Sequence, residues 1–164
     1  MPASATRMMT VFQTGSSKVN LKPIAASQTF KKGDILITDA NGRLVLGAAS
    51  GANIAAVNAA GHGKCYIADQ DGNSLTQDTL VQVVAANEDS LLRMPLTTNG
   101  SAQAFAQSQV GKVYEIRNVS GNFFVDVAAN TNAKVEVVER DPNTPASDAW
   151  GAVLVRPIAS AWGK

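Results

Sequence analysis

Cysteine and histidine each occur once among these 164 residues, as Cys65 and His62. An internal disulfide is therefore excluded, and a zinc site of Cys and His ligands cannot be assembled within one chain. Charged residues are scarce, at 16% against an average of about 25%. With 14 basic and 13 acidic side chains the net charge is +1, so no overall field steers the chain toward DNA or an anionic membrane. Aromatic residues make up 5%, too few to interleave with Lys and Arg as a nucleic-acid-binding sheet requires. Long apolar runs are missing as well. The longest, such as Ile35 to Ile37 and Ala152 to Val155, fall far short of the roughly 18 residues that span a bilayer. Near the start, Arg7, Met8, Met9, Val11 and Phe12 are interrupted by Thr10 and Gln13, which leaves no apolar core of signal-peptide length. The chain reads as soluble and made inside the cell, with protein as its expected partner.

What is present is apolar and rich in turns. Hydrophobic residues reach 45%, enough for a packed core and too many for global disorder. Acidic residues are absent from Met1 to Gly33, while Arg7, Lys18, Lys22, Lys31 and Lys32 stand there. That opening stretch is rich in Ser and Thr, is broken by Pro2, Gly15 and Pro23, and shows no sustained helical or strand period. Residues 1–28 are read as an extended arm, and removing Met1 to Lys22 should leave the unfolding of the remaining body nearly unchanged.

From residue 29 to 164 the pattern is that of a compact β-rich body, with room for two lobes divided near the turn-rich 97–101. Asn41-Gly42 lies between Ile35-Leu36-Ile37-Thr38 and Leu44-Val45-Leu46, and Asn-Gly between apolar strands is a strong hairpin signal because both residues tolerate positive φ. Lys64 to Ala68 and Leu80 to Ala86 suggest a second hairpin turning at Asp71-Gly72. Gly47 to Gly63 fits a thin strand or a short helix. Ala102, Phe105, Ala106 and Gln109 fall at helical spacing, which predicts one short helix over 101–110. Later strands are expected at 113–119, 123–127, 135–138 and 152–155. In Phe123 to Val127 the alternation aims Phe123, Val125 and Val127 at a core and Asp126 at solvent. The fold class is all-β, a mainly antiparallel barrel or sandwich, with the extended N-terminal arm and at most one short helix.

Chemistry is hard to find in this chain. Gly61-His62-Gly63-Lys64-Cys65 hints at a phosphate loop, yet Asn58 stands where the first glycine belongs and Cys65 where a magnesium-binding hydroxyl belongs. His62, flanked by glycines, is poorly fixed for a Ser-His-Asp device, and Lys64 has no serine in a nucleophile turn to serve. Asp69-Gln70-Asp71-Gly72-Asn73 opens like a calcium loop but has Ser74 in place of glycine and Leu80 in place of the bidentate carboxylate. Asn99-Gly100-Ser101 and Asn118-Val119-Ser120 match the glycosylation sequon and are read as turns. Cys65 is read as a buried, inert side chain. No catalytic, cofactor-binding or metal residue is assigned, and the chain is not expected to be an enzyme.

The basic arm, the Thr29-Phe30-Lys31-Lys32-Gly33-Asp34-Ile35-Leu36 stretch, the Gly- and Ala-rich middle and the absence of catalytic groups together resemble the head decoration, or capsid cement, proteins of tailed bacteriophages. The likeness runs over Ala25 to Asn58. Gly111 to Ile116 followed by Gly121 to Asp126 looks like a second strand pair of larger members. The resemblance implies a structural protein on the capsid exterior, made in the host cytoplasm. Such a protein clamps neighbouring major capsid proteins against internal DNA pressure, as a homotrimer or other homo-oligomer, and contacts neither nucleic acid nor membrane. The arm residues Arg7, Val11, Phe12, Lys18 and Lys22 are its expected capsid-binding set, through strand addition, with Phe124, Trp150 and Trp162 as interface anchors on the body. A tail or neck subunit is the alternative, followed by a small-ligand or carbohydrate-binding β domain.

Overall fold

Glycine and asparagine set the chain's reversals. In a computed structural model, which describes residues 10–13 and 18–163, Gly42 has φ +76°, and the Asp39 carboxylate accepts the amides of Asn41 and Arg43. The Asn99-Gly100 and Ser120-Gly121 pairs both have positive φ throughout, the geometry of tight two-residue hairpins.

Fourteen strands are described. The first eight are β1 (Thr10–Gln13), β2 (Lys18–Pro23), β3 (Gln28–Phe30), β4 (Ile35–Thr38), β5 (Leu44–Leu46), β6 (Cys65–Ala68), β7 (Gly72–Leu75) and β8 (Leu80–Ala85). The others are β9 (Leu91–Thr98), β10 (Ser101–Ala102), β11 (Val113–Val119), β12 (Asn122–Asp126), β13 (Val135–Arg140) and β14 (Ala152–Pro157). Single 3-10 turns occur at Gln107–Gln109 and Ala159–Ala161. The all-β expectation holds.

Of three described sheets, one pairs only β3 with β7 and the other two curl around two cores. The larger follows β1-β9-β12-β11-β13-β14, and because β9 also pairs with β14, five of its strands close into a ring. The smaller runs β2-β8-β6-β4-β5, and a bridge from Ile24 to Leu44 brings its two ends together. One core holds Ile35, Cys65 and Ile67 together with Leu92, Ile116, Phe123, Val125 and Trp162. The second holds Ile24, Leu36, Leu44, Tyr66, Ala68, Val81 and Val83. Alternate residues of β4 and β6 thus enter different cores. Both faces of these strands are covered, which is why they read as unbroken apolar runs.

Several expectations are corrected. The segment 1–28 is not separate from the body over its described part. β1 pairs with β9, β2 pairs with β8 across six positions, and Ile24 is fully buried. β8 of the smaller sheet leads into β9 of the larger through 86–90. Beyond the 3-10 turn at Gln107–Gln109 no helix forms over 101–110, because the Asn99-Gly100 turn commits Ser101 and Ala102 to β9 and the Gln103 carbonyl accepts the Gly151 amide. Those non-local bonds override the helical spacing of Ala and Gln. Residues 47–63 are neither strand nor helix. Only 51–54 run along β11, with Ile54 donating to the Ile116 carbonyl, Asn118 donating to that of Ala52, and one bridge at Asn53. β6 and β8 do pair, but Asp71-Gly72 leads into β7, which pairs with β3 instead.

Candidate interaction surface

The buried polar groups are engaged in holding the fold. Asp126, expected in solvent, is fully buried. It accepts the amides of Asn99 and Ala128 and faces Arg117 Nη1 at 3.4 Å. Arg117 also bonds Asn53 Oδ1 and the Gly51 carbonyl, and its Nε is buried with no hydrogen-bond partner among the described residues. Glu115 binds the Asn53 amide group and the Asn132 N–H. This network pins 51–53 against β11.

A second network joins Arg93 of β9 to Asp141 at 2.6 Å. Asp141 also accepts the Thr144 hydroxyl and the Asn143 N–H. Burial would raise its carboxyl, but the bonds from Thr144, Asn143 and Arg93 prevail and hold it below the usual carboxylate range. The loop after β13 is thereby fastened to the central strand.

The residues that hinted at chemistry are placed plainly. His62 is half-buried, and its backbone closes a small loop on Asn58. Asp69 pairs with Lys32 Nζ at 3.0 Å, and Asp71 accepts the Lys32 N–H. Among the described residues no group of three or more His, Cys, Asp or Glu could hold a metal ion. Burial pushes the Cys65 thiol up to about 12, against the opposing field of Lys134. Lys134 is itself buried, and burial lowers its ammonium while Cys65 and Glu115 oppose that shift. An open hollow of about 470 Å³ is lined by Glu88, Asp89, Leu91, Val138 and Arg156, charges of both signs without a convergent arrangement. No helix of the described residues is long and apolar enough to cross a membrane.

Two of the three aromatic anchors expected on the surface are core. Phe124 and Trp162 are each 1% exposed, and Trp162 Nε1 donates to the Lys134 carbonyl. Both faces of β12 are covered, so the alternation that aimed only odd residues inward was misleading. Trp150 is half-buried, its ring tilted 5.3 Å from that of Phe124. Arg7 lies outside the described residues. Val11 and Phe12 are in β1, where Val11 stands opposite Leu92, and Lys18 and Lys22 are in β2, opposite Ala85 and Val81 of β8.

What the sequence reading missed is on β2 and its neighbour. Val19, Leu21 and Leu80 are 60%, 59% and 57% exposed. Leu21 stands opposite Gln82, and Pro23 opposite Leu80, so the three form one stripe. β2 is also a sheet edge: Leu44 bridges the chain on that side only at Ile24, past the strand's end, so 18–22 has no second partner strand among the described residues. Ile24 donates to the Thr79 carbonyl on the β8 side, and antiparallel alternation then aims the N–H groups of Val19 and Leu21 away from β8. Pro23 occupies the same outward phase, where its missing N–H costs no ladder bond. The alternation in Lys18-Val19-Asn20-Leu21-Lys22 was the available signal, too short to stand out among breakers.

No family model, no curated protein and no solved structure matches the chain.

Proposed function

We propose that this chain is a structural virion protein that binds the outer surface of a tailed-phage head and clamps neighbouring major capsid proteins. The resemblance of its sequence to capsid cement proteins supports this reading. The observation that carries it is the exposed apolar stripe of Val19, Leu21 and Leu80 on an edge strand. An interaction surface is prominent in a body whose buried carboxylates are taken up by structural bonds.

Magnitudes favour a lattice as the partner. Fully burying such a side chain contributes about 1.5–3 kcal/mol. Three residues near three-fifths exposure therefore supply about 3–5 kcal/mol together, on the scale of a millimolar dissociation constant. One contact of that strength holds little. Repeated over an array, where each later contact is intramolecular, it becomes firm. The clamp needs no catalytic group and no cofactor.

The test is to mix the chain with undecorated heads, sediment them, and count bound copies. Copies in proportion to capsomers are expected. A single ring's worth per particle would favour a tail or neck subunit, and no co-sedimentation would overturn the proposal.

A further inference from the structure

β2 presents its residues in the opposite sense from an ordinary surface strand. Asn20 and Lys22 stand opposite Val83 and Val81, the β8 residues that enter the smaller core. Val19 and Leu21 stand opposite Val84 and Gln82; Val84 is half-buried against the larger core, whereas Val19 and Leu21 themselves are 60% and 59% exposed. A slip of one residue would exchange the two faces. The register is pinned against that slip from the C-terminal end. Ile24 is fully buried and bonded to Thr79, and Pro23 can sit only where no ladder donor is needed. An edge strand fixed with its apolar residues outward is a pairing template.

We propose that the outer edge of β2 receives an extended segment of a partner protein in the pattern acidic, apolar, polar, apolar, acidic. The apolar pair would cover Val19 and Leu21, and the acidic pair would stand opposite Lys18 and Lys22. Charge selects this occupant. The first 33 residues contain no acidic side chain. Lys22 takes part in none of the described ion pairs, its ammonium lying 5.4 Å from the Tyr66 ring centroid. Charge also selects against a second copy. Antiparallel pairing of two β2 strands about Asn20 sets Lys18 of one against Lys22 of the other at both ends, and like charges directly opposite are destabilising. In parallel register each lysine meets itself.

The inference rests on the reading of β2 as a docking strand and does not require the partner to be a capsid protein. The full chain, labelled with nitrogen-15, is titrated with the capped peptide Ser-Glu-Val-Thr-Val-Glu-Ser and with its counterpart carrying lysine in place of both glutamates. The expected result is a shift of the Val19 and Leu21 amides, with binding of the acidic peptide at least about tenfold tighter. The Lys18→Glu, Lys22→Glu double variant should reverse that preference, and Leu21→Asp should abolish binding. Equal binding of the two peptides, shifts confined to other strands, or no binding would each overturn the proposal. So would a concentration-dependent dimer that Leu21→Asp dissolves, since the occupant would then be a second copy. Should Leu21→Asp fail to fold, the charge reversal still decides. Peptide binding without head binding would defeat only the capsid reading; head binding indifferent to the charge reversal would defeat only this one.

Discussion

Removing the Asp141 carboxylate should destabilise the body by several kcal/mol, because the group is a buried charge with a full set of partners. Asp141 is fully buried, whereas its partner Arg93 is one-fifth exposed. Deleting one partner of a buried pair costs about 3–5 kcal/mol, and partial exposure of the guanidinium reduces this to about 2–4 kcal/mol for Asp141→Ala. The loss has three parts: Arg93 Nε, the Thr144 hydroxyl and the Asn143 N–H all give up their acceptor. For a chain of this length each kcal/mol lowers Tm by about 2–4 °C, so a drop of about 5–15 °C is expected by differential scanning calorimetry at pH 7. Asp141→Asn should lose less, because its amide oxygen can still accept from Thr144 or Asn143. The folded carboxyl is held below its unfolded value. Its contribution is therefore complete above the unfolded value of about 3.9 and is lost as pH falls through the folded one. The gap between wild type and Asp141→Asn should thus stay constant from neutral pH to about pH 5 and close in more acid solution. A Tm change under about 2 °C for Asp141→Ala, or a gap that persists in strong acid, would refute the reasoning. Replacing the pair together, as Arg93→Met with Asp141→Leu, should recover much of the loss, since the costly state is a buried charge without its partner.

Cys65 should resist a disulfide reagent in the native protein at pH 8, where a thiol at about 12 is ionised in roughly one molecule in ten thousand, and should react fully in denaturant; rapid native labelling would contradict its burial. Gly151→Ala should lower Tm, by about 1–3 kcal/mol of stability, because the added Cβ would sit 2.5 Å from the Phe105 backbone nitrogen. Gly121→Ala meets open space and only a strained φ of +86°, so it should cost about 1 kcal/mol; equal melting shifts would argue against close backbone approach at Gly151. Deleting residues 1–23 strips β2 from β8 and β1 from β9. It should broaden or lower the unfolding transition, contrary to the expectation for a detached arm, and an unchanged melting curve would restore that expectation.

Local signals carried the hairpins and the class. Asn41-Gly42 and Ser120-Gly121 each carry a glycine, which tolerates positive φ by its own chemistry, so the strands flanking them were legible at once. The apolar runs at 35–38 and 65–68 announced strands because each of their faces meets a core. The burial of Cys65 was legible too, from the strand around it, and the residue is fully buried.

Other features depended on partners distant in sequence. The helical spacing over 101–110 yielded to β9 and to Gly151, whose bonds no local pattern encodes. Asp126 looked exposed by alternation, yet Arg117 and the amides of Asn99 and Ala128 satisfy it in the interior. Phe124 and Trp162 read as interface anchors, but an aromatic residue carries no label for surface or core. The largest revision concerned 18–24. Lys18 to Pro23 alternates like a strand, but which face would be covered depends on register, and register is decided by β8 and by Ile24. The sequence by itself determined that this chain is a β protein with tight, glycine-built turns. Only the tertiary structure decided which side of each strand is buried, because a strand's period of two distinguishes its faces without saying which of them, or whether both, will meet a neighbour.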